Sequence, residues 1–132
     1  VRAQAAGATL NPSTTGAAFA VIPEMTVTMT TRVPEVWVSF NGTVEVLDGD
    51  DWDVAIFSDG VEVTGTRRNI DFFGGAIVGL APARIDGFPA GLHALVTGLV
   101  SGAHTFDVRW KVNVGTARAT GAERSIIAFE VL

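Results

Sequence analysis

Cysteine is absent from the 132 residues, so disulfides and thiolate metal sites are excluded. Stability has to come from packing or from association. Lysine is almost absent too, with Lys111 alone among nine basic residues, and the formal net charge is -5. A nucleic-acid surface needs cations gathered on one face, so no nucleic-acid partner is expected. No apolar run approaches the ~20 residues that span a bilayer as a helix, and membrane insertion is not expected. Residues 1–16 hold one charged side chain and no apolar stretch of the kind a signal peptide requires. Charge is sparse overall: 17% of residues are charged against 48% apolar. A chain of that composition and length folds as one domain with a real core rather than staying disordered.

The pattern present in place of these is alternation. Ala103 to Val114 reads AHTFDVRWKVNV. His104, Phe106, Val108, Trp110, Val112 and Val114 share one face, while Thr105, Asp107, Arg109, Lys111 and Asn113 share the other. This period of two predicts a strand with one buried face. Met25 to Arg32 alternates Met and Val with Thr, and Val36 to Leu47 alternates Val and Phe with polar residues. Trp37 falls on the opposite face from that apolar stripe. It is open to three readings: a second buried surface, a subunit contact or an exposed binding aromatic.

Other stretches complete an all-β reading. Ala17 to Ile22 predicts a short strand ended by Pro23. Asp48 to Asp51 predicts a turn into a strand over Trp52 to Ser58. Asp59-Gly60 is a two-residue hairpin signal, since both residues tolerate positive φ, and Val61 to Gly65 returns from it. The strands over Val36–Leu47, Trp52–Ser58 and Val61–Gly65 are expected to form a meander. Gly91 to Leu99 is expected to pair as a hairpin with 103–114. A strand over Val114 to Thr120 turns at Gly121, and Arg124 to Leu132 follows as a central strand apolar on both faces. Residues 1–16, rich in Ala, Gly, Thr and Ser, read as an arm or linker, and 17–132 as one domain. Residues 66–90 are the least regular, with a short strand over Ile77 to Leu80. Short strands at regular spacing make a β-sandwich or a barrel.

Few groups suggest chemistry. DGDDWD offers Asp48, Asp50, Asp51 and Asp53, but lacks the spacing of a calcium loop and reads as a polar turn. His93 and His104 lie in strands expected to pair, yet two histidines without a close ligand motif do not make a zinc site. Ser101, His104 and Asp107 are close in sequence, but an extended strand turns Asp107 away from His104, so no nucleophilic triad follows. No cofactor, metal or catalytic group is expected, and the chain reads as non-enzymatic. Arg67, Arg68 and Arg84 are candidates for an anionic ligand such as an acidic sugar, or for salt bridges to Asp71 and Asp86. Phe72 and Phe73, with Trp37, are candidates for sugar stacking or subunit contact.

The segment GLVSGAHTFDVRWKVNVGTARATGAERSIIAFEVL resembles small jelly-roll domains of phage and prophage virion proteins. The resemblance rests on Gly98, Leu99, Gly102, His104, Thr105, Val108, Trp110, Gly115, Thr116, Ala117, Arg124 and Glu130. It covers roughly 17–132. It implies an antiparallel jelly-roll sandwich similar to the tumour-necrosis-factor and complement globular-head fold. It also implies a homotrimer around a threefold axis, located in a virion, with other virion proteins and a host-surface glycan as partners. The roles implied are capsid decoration, head or tail fibre, or spike. A carbohydrate-binding sandwich from a secreted bacterial protein is the alternative.

Overall fold

The computed structural model describes residues 1–71 and 84–132, with the side chains of 84–86 outside the description. Ten strands follow one another: β1 (Arg2–Ala6), β2 (Ser13–Thr14), β3 (Ala20–Thr31), β4 (Val36–Leu47), β5 (Asp51–Ser58), β6 (Val61–Glu62), β7 (Arg68–Asp71), β8 (Arg84–Val96), β9 (Gly102–Val114) and β10 (Ala117–Glu130). They form two five-stranded sheets, and every pairing is antiparallel. Sheet A has the order β1-β10-β4-β8, with β2 also on β10. Sheet B has the order β3-β9-β5-β6, with β7 also on β5. Each long strand therefore sits in the opposite sheet from its long neighbours in sequence. That alternation between two sheets is the wrapped order of a jelly roll, so the protein is an all-β antiparallel sandwich of that kind. Among the described residues no helix is long and apolar enough to cross a membrane.

The core is the sum of the inward faces that the alternation marks. Val36, Val38, Phe40, Val44 and Val46 come from β4, and Phe106, Val108, Trp110 and Val112 from β9, all buried. Trp110 stands edge-on to Trp52 of β5, ring centroids 6.0 Å apart at 87°, a geometry that aromatic quadrupoles favour.

Four expectations change. Residues 1–16 are laced into sheet A: β1 pairs with β10 from Arg2↔Phe129 to Ala6↔Ser125, and β2 pairs with β10 at its other end. Backbone groups along an open edge of β10 pair with any extended chain, so small side chains suffice. Pro23 does not end its strand, because β3 runs through it by a register shift between Val21 and Thr26. Proline has no N–H to give a ladder, and a bulge is where it can be tolerated. The meander of three strands is one crossing followed by a hairpin, since β4 and β5 lie in different sheets and only β5 and β6 pair. Likewise β8 and β9 are not a hairpin: β8 pairs with β4, and β9 pairs with β3 and β5. Alternation tells which side of a strand is buried, not which strand lies beside it.

The chain end also differs. The two strands expected over 114–132 are one, β10, with a register shift between Ala119 and Arg124. Gly121, at φ +55°, supplies the left-handed residue of that bulge instead of a turn. β10 is central in sheet A, but Ser125 and Phe129 on its outward side are exposed. The strand expected over Ile77–Leu80 lies outside the described residues. The Asp59-Gly60 turn forms as expected, with φ of 48° and 80°.

Candidate functional site

Sheet A has one face on the core and one outside. Strand period and register place Trp37, Ser39 and Asn41 of β4 on the outer face, next to Leu95, His93 and Gly91 of β8. On the other flank they meet Phe129, Ile127 and Ser125 of β10, and beyond those Arg2, Gln4 and Ala6 of β1. The first row across the sheet is thus Arg2, Phe129, Trp37 and Leu95. The second is Gln4, Ile127, Ser39 and His93. The third is Ala6, Ser125, Asn41 and Gly91.

The first two rows carry the apolar surface. Leu95 is 43% exposed and Phe129 38%, and Trp37 and Ile127 are half-buried. The Trp37 and His93 rings stack, centroids 5.3 Å apart and planes 19° apart. The two are diagonal across β4 and β8, which is within reach for aromatic side chains. The third row is built from small residues, and the surface dips there. A groove of about 520 Å³ includes Asn41, Gly91, Glu123 and Ser125 in its lining, and a second depression of about 270 Å³ lies between β1 and β10 beside Gln4 and Ile127. The outer face of sheet A therefore joins a stacked aromatic pair to polar, small-residue hollows.

Arg124, at the end of this groove, turns its guanidinium inward. Its side chain is 1% exposed. It donates to the carbonyls of Pro23 at 3.1 Å, Thr9 at 3.0 Å and Gly121 at 3.3 Å, and to Glu24 at 2.5 Å. The cation thus knits the β3 bulge, the β10 bulge and the N-terminal segment together, and it is not offered to the groove.

The arginines expected to hold an anion are placed elsewhere. Arg67 lies on the sheet B side, bound by both oxygens of Glu62 at 2.9 and 2.5 Å, with its guanidinium 5.1 Å from the Phe19 ring centroid. Glu62 is held below the usual carboxylate range by that bond. Arg68 donates to the carbonyls of Gly65 and Arg67. Arg84 opens β8, and its side chain, with Phe72 and Phe73, is outside the described residues. The structure brings neither Arg67 nor Arg68 to Trp37.

The acidic turn is structural. Asp50 is buried, bonds Arg118 at 2.8 Å, and accepts from the backbone N–H of Leu47 and Thr116. Asp51 and Asp53 share the Asn69 amide at 2.7 and 2.9 Å, and Asn113 donates to Asp51 at 3.1 Å. The two amides hold the Asp51 carboxyl below its usual range. Among the described residues no three His, Cys, Asp or Glu side chains are grouped to hold a metal.

The histidines do not meet. His93 is on the outside of sheet A, while His104 is buried in sheet B. His104 Nδ1 lies 2.7 Å from Asp59 Oδ2, and Nε2 lies 2.7 Å from the Val100 carbonyl. Asp107 turns the other way and binds Arg109 at 2.6 Å, so the two side chains do not meet.

Trp37 was legible as an outward aromatic. His93, Leu95, Ile127, Phe129 and Glu123 were not singled out for this face. Their own strand parity carried a signal, but only the register of β4 against β8 and β10 gathers them.

No family model matches the chain, and no curated protein matches it. Solved structures resemble it at low identity and with TM-scores below 0.5. An insecticidal delta-endotoxin from Bacillus thuringiensis is 12% identical over 92% of this chain and 20% of its own, with a TM-score of 0.47. The infectious bursal disease virus VP2 subviral particle is 13% identical over 97% and 32%, with a TM-score of 0.46. An exo-β-1,3-galactanase from Phanerochaete chrysosporium, solved with β-1,3-galactotriose, is 16% identical over 96% and 27%, with a TM-score of 0.40. The chain thus spans a fifth to a third of the proteins it resembles.

Proposed function

We propose that this domain is a non-catalytic recognition module that binds a glycan on the outer face of sheet A. One observation carries the reading: the Trp37–His93 stack sits on an outward sheet face, among hydroxyl and amide side chains. A sugar ring presents an apolar C–H face and a rim of hydroxyls. The aromatic pair can cover the first, Ser39 on the same strand is beside it for the second, and Gln4, Asn41 and Ser125 lie further along the face for neighbouring rings of a chain. The test is a glycan array with the native domain and Trp37→Ala. The native protein is expected to bind a defined glycan set, and Trp37→Ala to lose at least tenfold in affinity, the scale of one stacking contact. A flat array, or an unchanged Trp37→Ala variant, overturns the reading.

The second reading is a homotrimeric virion subunit, and the row Leu95, Trp37, Phe129 favours it. Contiguous exposed apolar side chains mark association surfaces, and a neighbouring protomer would cover this row. On that reading the protein decorates a capsid or forms part of a fibre or spike in an extracellular particle, with other virion proteins as partners. It and the glycan reading compete for the same face.

A further inference from the structure

We infer that the groove beside Glu123 is an extension of the glycan site that selects against acidic sugars and takes a cationic amino sugar. The inference rests on the reading of the Trp37–His93 platform as a sugar site. The groove continues the platform along β4. Asn41 is four residues beyond Trp37 on the same face, ~13 Å at ~3.3 Å per strand residue, which leaves room for an extended chain rather than one ring.

The hollow exists because the side chains under it are small. Gly91 faces Asn41 across the β4–β8 ladder, and Ser125 faces it across the β4–β10 ladder. A Cβ at Gly91 would lie 3.6 Å from Asn41 Oδ1, in ordinary contact. A methyl there would therefore be accepted by the fold, and a longer side chain would extend from it into the groove.

The charge of the groove is one-sided. Glu123 is exposed, and its carboxylate accepts from the Thr43 hydroxyl at a long 3.4 Å, so it keeps most of its hydrogen-bonding capacity for a ligand. The cation next to it in sequence, Arg124, is engaged inside by Glu24 and three carbonyls. Among the described residues that line the groove there is no other basic side chain. An approaching carboxylate meets an anion with no cation to offset it. An ammonium meets a charge-assisted acceptor.

Isothermal titration separates the possibilities with three probes of equal length: an oligomer of unacetylated glucosamine, its N-acetylated form, and oligogalacturonate. The unacetylated oligomer is expected to bind native protein about tenfold tighter than the acetylated one at low salt, with the gap closing as salt screens it. Oligogalacturonate is expected not to bind. Glu123→Gln should level the first two without loss of the acetylated oligomer, and Gly91→Leu should weaken both. Equal binding of the first two by native protein, a preference that survives Glu123→Gln, or tightest binding of oligogalacturonate overturns the subsite while leaving the platform in place. Absence of binding by all three probes, or Trp37→Ala without effect, overturns platform and subsite together.

Discussion

His104 faces two acceptors and no donor. A neutral imidazole has one N–H and can satisfy either the Asp59 carboxylate or the Val100 carbonyl, while the imidazolium donates to both. The bond to Asp59 is the main cause of its raised pKa, the Val100 carbonyl adds to it, and burial opposes both. A raised folded pKa means a contribution that is full below the unfolded value of ~6.5 and lost as pH rises through the folded one. Asp59 has the opposite sign. Its pKa is lowered by His104 first and by the Thr105 N–H second, so its share is present above ~4 and is lost on acidification. Urea unfolding should show native protein losing about 1 kcal/mol as pH climbs past the His104 transition, a charge-assisted bond discounted for the exposed carboxylate. His104→Gln should lack that slope. An equal slope in the variant would assign the pH dependence elsewhere. Arg124 is the second residue of this kind. Arg124→Ala strips its part-buried acceptors of their donor and is expected to cost about 2 kcal/mol in chemical denaturation. Arg124→Lys should recover little, because one ammonium cannot span Pro23, Thr9, Gly121 and Glu24.

At the scale of the strand, the two faces carry different burdens. Trp110 points from β9 into the core and is 2% exposed, whereas Trp37 points outward from β4. Trp110→Ala should lower unfolding free energy by about 3–5 kcal/mol, as large-to-small core changes do. Trp37→Ala should fall within about 1 kcal/mol of native. Comparable losses for the two would mean that sheet A's outer face is part of the folding core. Alternation made this contrast readable in advance, since Phe106, Val108 and Trp110 declare one buried face whatever lies opposite. It could not reveal partners. Gly91–Leu99 and Ala103–Val114 have a turn between them and suit a hairpin, yet Leu99 N–H bonds the Pro34 carbonyl at 3.1 Å and the two strands belong to opposite sheets. The bulges were hidden for a related reason. Pro23 and Gly121 look like stops in sequence, and become register shifts only because neighbouring strands hold the chain on both sides of them.

At the scale of the whole molecule, Leu95, Trp37 and Phe129 form the surface on which the two proposed uses differ. Light scattering on the purified protein decides between the two proposed uses of that face. A glycan-binding monomer should scatter at the 13.8 kDa of one chain. The virion reading expects three times that mass at micromolar concentration, with Trp37→Arg shifting it to the protomer.

By itself the sequence determined the class: all-β, half-buried strands, Trp110 on a buried face, no thiol chemistry, and Trp37 turned away from its strand's apolar stripe. These follow from residue type and a period of two, which are local. Only the tertiary structure decided strand order, the use of residues 1–16 as sheet, and the gathering of Trp37, His93, Leu95 and Phe129 on one surface. The physical reason is that a strand's hydrogen bonds run to whatever edge is beside it, and backbone groups carry no address. A side chain's face is set by its own strand, but its neighbours are set by register across ladders that join residues as far apart as Arg2 and Phe129.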